Sequence, residues 1–393
     1  MTTKVRKKMI DTTKTEHYHF KVHNSDNFYS KTTKGKALPL IDTLKNVNCY
    51  ETIPSTGKFE RYNLKSYLKT SLGYTPACIE IRDIPFTWRR FRLIVDVSLP
   101  KVLRGHNVFE IYDYQFKEII DAVFEMLLQF GIEISKYELE TTTHIRRIDY
   151  CKNILIDTPI IQYVFLLQRF KKPWSITFSK YDTTVIFGTK KKKLVIYDKA
   201  IEVIRKSLKC KDTPAYKIAR LLITLQEIAE LNIFRIEQRL YGRQAIVQEV
   251  SSVIGTKDIT FKDLYSEKVA SHVLSKHWQK VASEDKFKTL LLGEQNVNVI
   301  LEQLVKIAKQ QGRRNVNPLY VLYPKLLSDI GEEATSKAIK GMRENRTLIK
   351  YKNELYSLIH QLPMYGDTRL KDYRTITQAL SDWEKFSLPI ISK

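Results

Sequence analysis

The chain has 393 residues, 43% hydrophobic and 11% aromatic, which suffices for two or three domains with their own cores and excludes a disordered protein. With 66 lysines and arginines against 43 acidic residues the net charge is +23, spread along the whole chain, and such a surface selects nucleic acid as partner ahead of an anionic membrane. The chain has no apolar run of 18 residues and no signal-peptide core, and Cys49, Cys78, Cys151 and Cys210 lack zinc or disulfide spacing, so a soluble protein of a reducing cytoplasm is expected.

Residues 1–15 are polar and without period and read as a disordered basic N-terminus. Glu16 to Val22, EHYHFKV, alternates and predicts a first strand with His17 and His19 on one face. That spacing can hold a metal, but nothing nearby adds ligands, and two structural strand histidines are the simpler reading. Residues 24–75 predict short strands and loops. Ala77 to Arg82 and Phe91 to Ser98 predict strands, joined around Asp83 to Pro85. Within the second, Asp96 is a carboxylate among apolar neighbours and asks for a metal, an arginine or hydrogen bonds. KVLRGHNVFE then places a turn at Gly105-His106-Asn107. Tyr114 to Phe130 predicts an amphipathic helix stopped by Gly131. HIRRIDYCKNILI predicts a strand with Arg147, Asp149 and Cys151 on one face and Ile148 and Tyr150 on the other.

Asp157-Thr158-Pro159 opens a helix that runs to about Phe170, and residues 175–178 predict a strand. TTVIFGTKKKKLVIYDKAIEV, Thr183 to Val203, predicts a hairpin: Val185 to Phe187 out, Gly188 as breaker, Lys190, Lys191, Lys192 and Lys193 at the turn, and Leu194 to Tyr197 back. Period two puts Val195, Tyr197 and Lys199 on one face, a phenol beside an ammonium at the end of a cationic tip. That combination suits a phosphodiester-cleaving nucleophile, and a surface hairpin with an interfacial tyrosine is the plainer alternative. Ala215 to Leu231 predicts a helix, and Ile233 to Leu240 a strand with Arg235, Glu237 and Arg239 on one face. Gly242 to Ile254 predicts another helix. From Phe261 onward helices dominate, which places a domain boundary near 260. There Leu319–Ile330, Glu332–Met342 and Thr347–His360 outline a helix-turn-helix unit whose last helix carries Lys350 and Lys352.

Taken in order, SLPKVLRGHNVFE, RID at 147–149, KLVIYDK at 193–199 and FRIEQRL at 234–240 resemble the replication-initiation endonucleases of filamentous bacteriophages, the gene II class, related to plasmid rolling-circle initiators. The resemblance spans roughly residues 90–360. It implies an α+β fold, an antiparallel sheet with flanking helices related to HUH nucleases, over residues 16–260, and a mainly helical DNA-binding domain over 261–393. It implies a nickase that cuts one strand of the phage origin, stays bound as a phosphotyrosine and later rejoins the displaced strand. Tyr197 would be the nucleophile and Lys199 its partner. Asp149 and Glu237, with Asp96 and then His106, would be ligands of Mg²⁺ or Mn²⁺. Lys190 to Lys193, Arg147, Arg235, Arg239, Lys350 and Lys352 would contact DNA. The origin duplex, the displaced single strand, a host helicase and replication proteins are the implied partners, in the cytoplasm of the infected bacterium. Two other classes stay open, a non-catalytic origin-binding protein with carboxylates paired to arginines, and a metal-independent tyrosine recombinase or topoisomerase.

Overall fold

The computed structural model describes residues 10–17, 21–22, 29–31, 37–39, 66–67, 77–83, 91–129, 132–170, 183–209, 213–227, 231–310, 312, 317–340, 345–360 and 367–382. An eight-stranded antiparallel sheet organises it. Its strands are β1 (Ile10–His17), β2 (Ser66–Tyr67), β3 (Ala77–Asp83), β4 (Phe91–Ser98), β5 (Ile145–Ile156), β6 (Thr184–Gly188), β7 (Lys192–Asp198) and β8 (Asn232–Tyr241), in the order β6-β7-β8-β5-β1-β4-β3-β2. The fold is α+β, an antiparallel sheet with helices, as the resemblance implies.

Residues opposite one another in a sheet share a face, so the register sorts the side chains. Leu194 and Ile196 of β7, Phe234, Ile236 and Leu240 of β8, and Ile148 and Ile154 of β5 lie on one face and are buried in the main core. Val195 and Tyr197 pair with Glu237 and Arg235, which pair with Cys151 and Asn153, and these occupy the other face. The odd-numbered polar residues of β5 and β8 therefore meet in one plane. This is the charged face the alternation predicts.

The apolar face is covered largely by helices from beyond residue 260. Tyr163 from the helix Ile160–Gln168 lies edge-on to Phe234 and stacks on Phe287, at 5.6 and 5.4 Å between ring centroids. Trp278, from the helix Glu267–Val281, meets Phe234 on one side and Tyr373, from the helix Thr368–Ser381, on the other. The apolar cluster is continuous from Ile79 to Leu380. The change of character near 260 is thus a change of secondary structure without a break in the core. Asp372 adds a polar lock across the same join, accepting from the backbone N–H groups of Asp157 and Thr158 at 2.9 and 2.8 Å, at the N-terminus of helix Ile160–Gln168.

Two expectations are corrected here. Residues 10–15 belong to β1, a strand paired on both edges, between β5 and β4. Its sequence IDTTKTEH carries little apolar signal, yet Thr13, Thr15 and His17 are buried because their polar atoms find local partners. Of the predicted strand Glu16 to Val22, only Glu16 and His17 lie in β1, while Lys21–Val22 pairs separately with Ile132–Glu133. His17 faces the core side, away from the charged face; His19 and the strand predicted at 175–178 lie outside the described residues. In the C-terminal part the helical run Pro318–Lys340 is interrupted where the sequence predicts it, at Gly331, whose φ of +80° and ψ of 167° are not helical. Among the described residues no helix is long and apolar enough to cross a membrane.

Candidate active site

The charged face is built from three strands and the ends of two helices. On β8, Glu237 sits between Arg235 and Arg239 at two-residue steps, so both guanidinium groups lean onto one carboxylate. Arg239 Nε donates to Glu237 Oε1 at 2.6 Å, and Arg235 Nε approaches Oε2 at 3.3 Å. The Tyr197 hydroxyl of β7 donates to the same Oε2 at 3.1 Å. On β5, Arg147 chelates Asp149 through both of its oxygens, with Nε to Oδ1 at 2.9 Å, and Arg239 Nε lies 3.9 Å from Asp149 Oδ2. Asp149 and Glu237 thus converge on one cationic atom, Arg239 Nε.

Burial sets the protonation behaviour. Tyr197 is only 8% exposed, and burial pushes its phenol well above the ordinary tyrosine range. Burial and the neighbouring Glu237 charge raise Asp149 despite its arginines. Burial also opposes the charge of Glu237, but Arg239 and Arg235 outweigh it and hold that carboxyl low. The two acids are pushed apart, one poised to bind a proton and one firmly ionised.

Lys199 does not continue the strand. Asp198 accepts from the Ile201 N–H at 3.0 Å and caps the helix Lys199–Ser207, so Lys199 is its first residue. A capping Asp before the apolar period of AIEVI is a helix-start signal that the strand reading passes over. The lysine is completely buried, with Nζ bonded to Asn107 Oδ1 at 2.9 Å and Glu202 Oε2 at 2.6 Å, and burial lowers its pKa. The helix is pinned there by a second apolar cluster in which Ala200 and Val203 meet Ile233, Leu222 and Val108.

KVLRGHN has a structural explanation. Leu99–Arg104 is a short helix ended by Gly105 at φ +73°, a left-handed turn that only glycine adopts at little cost. The turn delivers Asn107 to Lys199 and, at 3.4 Å, to Asp11 Oδ1. Asp11 Oδ2 in turn pairs with Arg235 at 2.8 Å, and Asn153 Oδ1 accepts from Arg235 at 3.1 Å. Asp11, Asn107, Asn153 and Glu202 are therefore parts of the site that the sequence reading leaves out. Asn107 stands inside a motif and could have been found; Asp11, in an apolar-poor segment, carries no signal.

The other predicted residues are placed as follows. Asp96 points to the charged face but pairs with Lys14 at 3.5 Å. His106 lies near Lys199, edge-on to Phe109, and burial, Arg104 and Lys199 pull its pKa down to about 4. Neither joins Asp149 and Glu237. Lys190 and Lys191 are exposed at the hairpin tip, whereas Lys192 binds Glu249 at 2.6 Å and Lys193 lies over the Tyr241 ring. Lys350 is exposed; Lys352 is folded back toward Glu332 and over the Tyr323 ring, where it packs the bundle. Tyr150 faces away, its hydroxyl on the Leu264 carbonyl.

By ligand type the acid pair suits a hard divalent cation, and in this structure its oxygens are engaged by Arg147, Arg239, Arg235 and Tyr197. Among the described residues no three His, Cys, Asp or Glu side chains gather as ligands. Mg²⁺ is satisfied by one or two carboxylates when substrate phosphate and water complete its shell. Four basic groups, Arg147, Lys199, Arg235 and Arg239, face four carboxylates, Asp11, Asp149, Glu202 and Glu237.

No curated protein and no solved structure matches the chain. A family model described as the N-terminal part of a phage replication-associated protein matches residues 45–262, a span that holds Asp96, His106, Asp149, Tyr197, Lys199 and Glu237. The match covers more than half of the chain, which therefore belongs to this family of phage replication-associated proteins.

Proposed function

We propose that the protein is a site-specific DNA nickase and strand-joining enzyme that starts and ends rolling-circle replication of a filamentous phage genome. The observation that carries this reading is the Tyr197 phenol hydrogen-bonded to Glu237 beside a second buried acid and three arginines. Family membership supports the replication role.

In the proposed reaction Tyr197 Oη bonds to the scissile phosphorus and the P–O3′ bond breaks. The phenol proton leaves along its hydrogen bond to Glu237 and ends on solvent, and the 3′-oxygen leaves as a hydroxyl after taking a proton from water. Arg235, with its guanidinium carbon 5.9 Å from the Tyr197 ring centroid, and Arg239 supply positive charge as the phosphate becomes more anionic. Lys199 is enclosed by Asn107 and Glu202, so it acts on the phenol through its field and by fixing the helix start. Mg²⁺ or Mn²⁺ held by Asp149 and Glu237 would add a Lewis-acid charge on the phosphate. Because the phosphotyrosine keeps the energy of the phosphodiester, a 3′-hydroxyl attacking it rejoins the strand without ATP. The substrate would be the origin duplex and its displaced strand, with a host helicase opening the duplex in the bacterial cytoplasm.

The test is incubation with supercoiled DNA carrying the protein's own origin, with and without Mg²⁺. Wild type should yield nicked circles and a covalent 5′-phosphotyrosine adduct, and Tyr197→Phe should yield neither while still binding the origin. A labelled peptide lacking Tyr197 would overturn the assignment. The arginine pairing of Asp149 and Glu237 favours one second reading, a non-catalytic origin-binding protein, and the absence of nicking under all metal conditions would select it.

A further inference from the structure

Beside Tyr197 a cleft of about 400 Å³ opens at the end of the sheet, where β6 is the outermost strand among the described residues. One wall is apolar and β-branched: Ile186 of β6, Val195 of β7 and Ile201 of the helix Lys199–Ser207. The other wall is cationic, with Arg205 and Lys206 from that helix and Arg239 from β8. Arg239 is the same guanidinium that joins Asp149 and Glu237, so the cleft and the charged cluster share a residue. The two carboxylates at the rim are committed, Asp198 to capping the helix and Glu202 to Lys199 and Lys206. They do not present bare negative charge to an anion.

A volume of this order holds one nucleotide and excludes a duplex. An apolar wall facing a cationic one is the chemistry that takes the flat face of an unpaired base together with its phosphate. We infer that this cleft binds one unpaired nucleotide adjoining the scissile phosphate, its base against Ile186, Val195 and Ile201 and its phosphate on Arg205 and Arg239. The location next to the scissile bond rests on Tyr197 as nucleophile; the nucleotide site itself does not. The DNA would have to be locally unpaired at the cut, and the depth of the cleft sets the distance between the held base and the Tyr197 hydroxyl.

The experiment uses the full chain and thymidine 3′,5′-bisphosphate as probe, with affinity measured by calorimetry. Wild type and Tyr197→Phe should bind it within about threefold of each other. Arg205→Glu, at an exposed position, should weaken binding by about tenfold or more, and Ile201→Trp, which fills the cleft, should do the same. Lys309→Glu, an equal charge change on the exposed face of a distant helix, should leave the affinity unchanged. Equal affinity in wild type, Arg205→Glu and Ile201→Trp would overturn the inference, as would an equal loss in Lys309→Glu. Nicking that survives Tyr197→Phe would remove the nucleophile assignment while the bisphosphate data still decide the cleft.

Discussion

The seat of β1 against the charged face can be measured by a double-mutant cycle on Asp11 and Arg235. Arg235 is 1% exposed and Asp11 8% by side chain, and their charged atoms lie 2.8 Å apart. Arg235→Met keeps most of the volume but leaves Asp11 and Glu237 short of a buried partner. Removing one member of a buried pair costs about 3–5 kcal/mol, and that range is expected here. Asp11→Asn keeps shape, removes charge and should cost about 1–3 kcal/mol. Once Arg235 is gone the Asp11 charge has lost its ion-pair partner, so the double variant should be less destabilised than the two single losses together. The expected coupling is about 1.5–3 kcal/mol, against about 0.2–1 kcal/mol for a solvent-exposed pair. Urea unfolding of the full chain, with each variant's slope compared with wild type, supplies the four stabilities. A coupling below about 0.5 kcal/mol would refute the placement of Asp11 in the cluster and with it the role given to β1.

Asp372→Ala removes both backbone hydrogen bonds that tie helix Ile160–Gln168 to the C-terminal helix and should cost about 2–4 kcal/mol; a single shared unfolding transition, read by circular dichroism and tryptophan fluorescence together, is expected before and after the change. Glu249 is bound by Lys192 and Lys276, with His277 Nε2 at 3.3 Å, and although burial opposes its charge these partners hold its pKa far below the ordinary 4.5. Its contribution is full above the unfolded value and fades as pH falls toward the depressed folded one, so Glu249→Gln should lower the melting temperature at pH 7 and lose that effect progressively below about pH 4. Gly188 has φ +128°, and a Cβ there would stand 2.1 Å from the Lys192 carbonyl oxygen, so Gly188→Ala should destabilise the hairpin by about 1–3 kcal/mol in the same melts.

Much of the sheet is legible in the sequence because its central strands alternate. In FRLIVDVS and NIFRIEQRLY the apolar set falls on one side and the charges on the other, and β4 and β8 lie within one residue of where the pattern puts them. The acid pair is legible for the same reason, since period two alone aims Asp149 and Glu237 at one face. IDTTKTEH is illegible because it carries almost no apolar alternation, and its place in the sheet comes from pairing with a neighbour on each edge. The boundary drawn at 260 rests on a change of secondary-structure signal. A helical tail can close the apolar face of a sheet, and the ring stack from Phe234 through Trp278 to Tyr373 is such a closure. The arginine partners of the carboxylates are half legible. The motifs RRID and FRIEQR already hold the two-residue steps by which Arg147 grips Asp149 and Arg235 and Arg239 grip Glu237, but the approach of Arg239 to Asp149 and the pairing of Arg235 with Asp11 depend on strand pairing far along the chain.

The near-complete enclosure of Tyr197 bears on time as well as on reactivity. A covalent DNA adduct formed by the proposed reaction has to outlast the copying of an entire circle before its bond is needed again. Water and a 3′-hydroxyl would compete for the same in-line position opposite the leaving phenol, which stands at the cleft that Tyr197 lines. A DNA strand lying across that opening would itself keep water out. The occupant of the cleft would thus act as a clock, keeping the stored bond intact until the returning strand end takes the position.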